Sequence, residues 1–179
     1  MFEKGTLLVH PTYGVCEVVH IGKIDMRNVK EERLYYTLIP LYDVKSKLYI
    51  PTDSESVGLR PVMTKENAVK LVENLPDMEP IPVQNEKERE KIFKEMIRTG
   101  NCEDISRIIK TLYLRKQARL TAGKKAVSLD EKYLFMAREQ LYGELAVSLG
   151  IEKKGVEEYI AQTLERYSAS WTLPIHENA

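Results

Sequence analysis

The chain is short of the residues on which most enzymes and secreted domains depend. Its two cysteines, Cys16 and Cys102, stand 86 positions apart with no C-x-x-C partner. Neither a disulfide framework nor a zinc site is expected from them; two reduced structural thiols are, because cysteine is a common core residue. The three histidines, His10, His20 and His176, are scattered, with no pair at ligand spacing on one helix, so no metal is expected. No G-x-S-x-G or comparable nucleophile signature occurs. Gly123-Lys124 lacks the earlier glycine and the following Ser or Thr of a phosphate-binding loop, and it follows a helical pattern where a strand is needed. No catalytic residue, cofactor or small-molecule substrate is therefore expected. No apolar run approaches the roughly 18 residues of a spanning helix, and Met1-Phe2-Glu3-Lys4-Gly5 is not a basic segment leading into an apolar one. The expectation is a cytoplasmic protein without a membrane partner.

What is present reads as two small domains. A hydrophobic fraction of 43% and a charged fraction of 30% describe an ordinary globular chain, and 179 residues suffice for one domain or two. Residues 6 to 62 carry β patterns. Leu7-Leu8-Val9-His10 is stopped by Pro11, Thr12-Tyr13-Gly14 supplies turn chemistry, and Val15 to Ile24 resumes the pattern. Arg33 to Leu41 is rich in aromatic and β-branched residues, and the chain returns through Lys47-Leu48-Tyr49-Ile50-Pro51 as a hairpin. With a last strand over 57 to 62, about five strands in some 55 residues match the scale of a small SH3-like or Tudor-like barrel. Such an interior is too small for an enzyme pocket.

Thr64 is placed to cap a helix through Ala68-Val69-Lys70-Leu71-Val72. Pro76, Pro80 and Pro82 then mark residues 76 to 85 as a linker. Beyond it the apolar period changes from two to about 3.6. Four stripes follow: Ile92, Phe93, Met96 and Ile97; Ile105, Ile108, Ile109 and Leu112; Leu134, Ala137, Leu141 and Leu145; Val156, Tyr159, Ile160 and Leu164. Asn85 with Glu88, and Ser128 with Glu131, have capping-box spacing, while Gly100 and Gly150 sit where helices end. The reading is an α+β two-domain chain, with a barrel and short helix over 1–75, a linker over 76–85 and an all-α helical bundle over 86–179.

Formal net charge is zero, but the charge is not evenly spread. Residues 1 to 75 hold ten basic and ten acidic side chains, whereas 101 to 125 hold seven basic against two acidic. Arg107, Lys110, Arg115, Lys116, Arg119, Lys124 and Lys125 run along the second bundle helix and the loop after it. Such a stripe neutralises phosphates and releases counterions, or it is simply a solvated helix face. Charge alone leaves both readings open.

A resemblance favours the first. Gly5-Thr6-Leu7-Leu8-Val9-His10-Pro11-Thr12-Tyr13-Gly14-Val15 resembles the opening of the CarD family, and Tyr49-Ile50-Pro51 followed by Gly58-Leu59-Arg60 is similar to the close of its barrel. Ser128-Leu129-Asp130-Glu131-Lys132 and Ala137-Arg138-Glu139-Gln140-Leu141-Tyr142-Gly143-Glu144-Leu145 resemble its helical pattern. Together these span roughly residues 2 to 149. The resemblance implies a bacterial transcription regulator whose Tudor-like barrel, shared with transcription-repair coupling factors, docks on the RNA polymerase β subunit. It further implies a helical domain that contacts promoter DNA at the upstream edge of the bubble and stabilises the open complex.

Carried over position by position, the resemblance implies polymerase contacts at Met26, Arg27, Lys47 and Tyr49, and DNA contacts at Lys91, Arg115 and Lys132. The local charge excess adds Lys116 and Arg119 to the DNA set. Binding to duplex alone is expected to be weak and to show little sequence preference, since phosphate contacts do not read bases. One departure stands out. Actinobacterial members carry a wedge tryptophan at the start of the first C-terminal helix, where this chain reads Gln84-Asn85-Glu86-Lys87; its only tryptophan is Trp171, read as an anchor for the tail in preference to a relocated wedge. The alternative is a protein-protein adaptor of the transcription machinery without direct DNA binding, which would show an exposed apolar patch on the bundle.

Overall fold

The period-two segments become a five-stranded antiparallel sheet in the computed structural model, which describes residues 1–24, 33–54, 58–82 and 85–167. Strands β1 (Leu7–His10), β2 (Gly14–Gly22), β3 (Tyr35–Pro40), β4 (Leu48–Pro51) and β5 (Arg60–Pro61) lie in the order β4-β3-β2-β1-β5. Among the described residues no ladder joins β4 to β5, so the sheet is open where a closed barrel was expected. The outer strands are too short to curl round and meet: β4 has four residues, and β5 pairs through two, one of them a proline without an N–H.

One face of the sheet buries Leu8, Cys16, Val18, Tyr36 and Leu38, with Phe2, Ile21, Leu48, Ile50 and Leu59 packed at the margin. A register shift between Val18 and His20 is decisive here. Inward positions run 16, 18 and then 21, so the bulge returns Ile21 to the core and turns His20 outward. The β1–β2 turn is held by His10, whose Nδ1 accepts the Thr12 N–H at 3.0 Å and the Tyr13 N–H at 3.3 Å. Gly14 follows at φ 69°, in the left-handed region that favours glycine. Burial pushes the His10 imidazole below its ordinary 6.5, as its acceptor role requires. Cys16 is buried as well, and its thiol is pushed up to about 12.

The chain divides between Val62 and Met63, not at residue 75. Helix α1 (Lys65–Glu73), expected with the sheet, belongs to the helical unit together with α2 (Glu86–Thr99), α3 (Cys102–Thr121), α4 (Ser128–Leu149) and α5 (Val156–Tyr167). The reason is its buried stripe: Ala68, Leu71 and Val72 join the same core as Ile105, Ile108, Leu112, Ala137, Leu145 and Ile160. The proline-rich stretch is not a free linker either. Ile81 is buried, its N–H donates to Thr111 Oγ1 at 2.8 Å, and Lys110 Nζ donates to the Leu75 and Pro76 carbonyls. Prolines supply no donors and leave carbonyls that α3 side chains satisfy.

Capping follows the sequence in most places. Thr64 accepts the Asn67 N–H, Asn85 accepts the Glu88 N–H at 2.9 Å, and Gly100 and Gly150 end their helices at φ 68°. At α4 it does not: the cap position is Val127, Ser128 is already helical, and no side-chain cap bond forms. The Ser128–Glu131 spacing lies one residue too far along, and Glu131 is taken by a cross-helix contact instead. Asn101 was not anticipated as a cap; it accepts the N–H groups of both Glu103 and Asp104. At its own start the unit is clasped by α4. Glu144, which is 1% exposed, accepts the Met63 N–H at 2.9 Å, and Ser148 Oγ donates to the Met63 carbonyl at 2.9 Å.

Candidate interfaces on the sheet and on the helical unit

On the sheet unit, two of the four proposed polymerase contacts can be placed. Met26 and Arg27 lie outside the described residues. Lys47 immediately precedes β4, and Tyr49 is in it; both are exposed. Register aligns His20 with Thr37 and Thr37 with Tyr49, which makes a row across three strands on the face opposite the core. An open cleft of about 380 Å³ runs along this row, and Lys23, Ile39 and Lys47 help to line it. Its position beside the outer side of β4, which pairs with no strand among the described residues, gives a partner both backbone groups to pair with and side chains to read.

On the helical unit four of the five proposed DNA contacts, Arg115, Lys116, Arg119 and Lys132, lie about the first turns of α4. Asp130 is the hub. Arg89 of α2 approaches Asp130 Oδ1 at 2.9 Å without hydrogen-bond alignment, and Arg115 of α3 donates through Nε to Asp130 Oδ2 at 3.1 Å. Lys116 faces Glu131 at 4.0 Å, while Arg119 donates through Nε to the Lys125 carbonyl at 2.8 Å. Three helices thus meet through one carboxylate. On the α2 side, the Tyr133 hydroxyl donates to Glu90 at 3.3 Å, and Lys132 lies 5.7 Å from the Tyr133 ring centre. A bond from Lys94, and the Lys94 and Lys132 charges, hold Glu90 below the usual carboxylate range. Lys91, next in sequence to Glu90, is exposed.

The stripe of seven cations is not one surface. Lys110 is buried, its ammonium pushed down by burial and spent on two carbonyls. Arg107 donates to the Glu79 carbonyl and faces Asp104. The five from Arg115 onward lie at the α3–α4 end, with Lys124 and Lys125 exposed in the connecting turn. Arg89 is the residue that sequence reasoning missed: it is 4% exposed at its side chain and neutralises a carboxylate 41 positions away. Nothing in a charged helical stretch such as 86–91 marks one cation as internal. Gln84 and Trp171 lie outside the described residues, so neither the wedge position nor the tail anchor is placed. Leu114, Leu120, Phe135 and Met136 are exposed on α3 and α4.

Residues 2–63 match the CarD-like/TRCF RID domain, and residues 70–161 match the CarD C-terminal domain, in that order. The chain belongs to the CarD family. The first match ends at residue 63, one residue past the division between Val62 and Met63. The chain is also similar to "Putative transcription factor YdeB" of Bacillus subtilis (strain 168), at 27% identity over 161 residues that cover 89% of this chain and 99% of that protein. As a CarD-family member it is a transcription regulator. No described helix is long and apolar enough to cross a membrane.

Proposed function

We propose that this CarD-family chain acts without catalysis, its sheet unit binding the RNA polymerase β subunit and its helical unit holding promoter DNA at the upstream edge of the bubble. The observation that carries the DNA half is the meeting of α2, α3 and α4 around Asp130, which puts Arg115, Lys116, Arg119 and Lys132 about the first turns of one helix. The polymerase half rests on the match to the RID domain and on the cleft beside β4. A protein that grips both partners favours the open complex only by the difference in its affinity for the open and closed states. Tethering through polymerase raises the effective concentration of the helical unit near DNA, so weak phosphate contacts with little sequence preference suffice.

The test is open-complex lifetime with wild type and with Arg115→Glu/Lys132→Glu. The wild type is expected to lengthen it and the variant to lose the effect while still binding polymerase. Charge reversal at Arg27 and Lys47 together is expected to weaken retention on a polymerase column without unfolding the sheet. The exposed Leu114, Leu120, Phe135 and Met136 favour the adaptor as second reading. Equal lengthening by wild type and double variant would make that reading the better one.

A further inference from the structure

The last two turns of α3 carry two guanidinium groups that are held in the same way. Arg115 is fixed through Nε by Asp130 and Arg119 through Nε by the Lys125 carbonyl. A bond at Nε sets the direction of the guanidinium plane from its stem side and leaves the two terminal Nη groups to point onward. Among the described residues, the Nη atoms of neither arginine have a hydrogen-bond partner. The two positions are four residues apart, one turn along the same face, and both side chains are part-exposed. Asp130 itself is held in place, because the buried Arg89 charge needs it as counter-ion. One carboxylate therefore balances an internal cation and orients an external one.

We propose that Arg115 and Arg119 are a pre-oriented pair of guanidinium forks for successive phosphates of a nucleic-acid backbone, with Asp130 as the positioning residue for Arg115. The inference rests on the DNA-binding reading above and deepens it: the surface works by guanidinium geometry and not by charge alone. Two parallel N–H groups engage one phosphate bidentately, which an ammonium cannot do. Orientation in advance removes part of the ordering cost that a long, free side chain pays on binding.

The experiment uses the full chain and a fluorescein-labelled fork-junction DNA, with anisotropy titrations at several salt concentrations. Arg115→Lys and Arg119→Lys keep the charge, and each is expected to weaken binding by about tenfold, the scale of a lost charge-assisted contact. The dependence of log affinity on log salt is expected to stay unchanged in both, because the charge and its counterion release are kept. Asp130→Asn separates positioning from bulk charge by sign. On a merely basic surface, loss of an acid raises affinity; loss of the anchor lowers it, with no further loss when Arg115→Lys is added. Thermal melts accompany each variant, and if Asp130→Asn fails to fold, the two lysine variants carry the test. Wild-type affinity in both lysine variants, or tighter binding by folded Asp130→Asn, overturns this inference and leaves the DNA reading standing. No binding by wild type even at low salt removes both.

Discussion

The sheet unit and the helical unit solve the burial of polar groups in opposite ways. In the sheet, backbone N–H and C=O groups pair along ladders, side chains alternate, and the five-residue core is apolar apart from a thiol and a tyrosine hydroxyl at its margin. Polar side chains that matter structurally stay at its periphery, as with His10 at a turn and the exposed Arg33–Asp53 pair. In the helical unit, a core of twenty-two residues coexists with buried Arg89, Lys110, Asp130 and Glu144. Helix ends and proline-rich connections leave backbone groups that no ladder can reach, and charged side chains are recruited to them. Charge is thus a surface property of the one unit and part of the interior of the other. A change of charge should accordingly break them differently.

The largest effect is expected at Arg89. Arg89→Met leaves Asp130 without its buried counter-ion, and breaking such a pair from one side costs about 3–5 kcal/mol. A melting temperature of the variant equal to that of wild type would show that the bundle interior is no different from its surface. Apolar truncation in the same unit comes next. Ile108 is fully buried, and Ile108→Ala is expected to cost about 2–5 kcal/mol in denaturant titration, with DNA binding lost only on unfolding. An Ile108→Ala protein with wild-type stability would misplace the inner face of α3. The smallest effect belongs to the sheet. Its His10 pKa is depressed, so the folded unit binds this proton less readily than the unfolded one; the stabilisation is present above 6.5 and is lost as pH falls below it toward the folded value. Stability measured from pH 7.5 down to pH 5 should decline, and the decline should shrink in His10→Gln. The same slope in both proteins would assign it to other groups.

The legible parts were those set by neighbours in sequence. Period two over Leu7–His10 and Tyr35–Pro40, period 3.6 over the four stripes, Thr64 and Asn85 as caps, and the terminating glycines are all local patterns, and the structure has an element or a cap at each. The errors came where a local pattern had two outcomes. Three prolines read equally well as a tether or as a packed strap, and Thr111 and Lys110, some thirty positions later, decide for the strap. The Ser128–Glu131 spacing met a helix that begins one residue earlier than a capping serine requires. The candidate site was legible as a list of cations and not as a surface. Lys110 and Arg115 differ little in sequence context, yet one is buried on carbonyls and the other faces outward from Asp130.

The sequence by itself determined the class of the protein and its elements, from two ordered domain signatures and from periodicities that each segment enforces on its own neighbours. The tertiary structure alone decided that α1 belongs with the helices, that the sheet stays open, and which cations remain available to a partner. The physical reason is range. Helix and strand patterns are settled within a few residues, whereas the fate of a charge depends on which carboxylate or carbonyl the packing of other helices brings within about 3 Å of it, as Asp130 is brought to both Arg89 and Arg115.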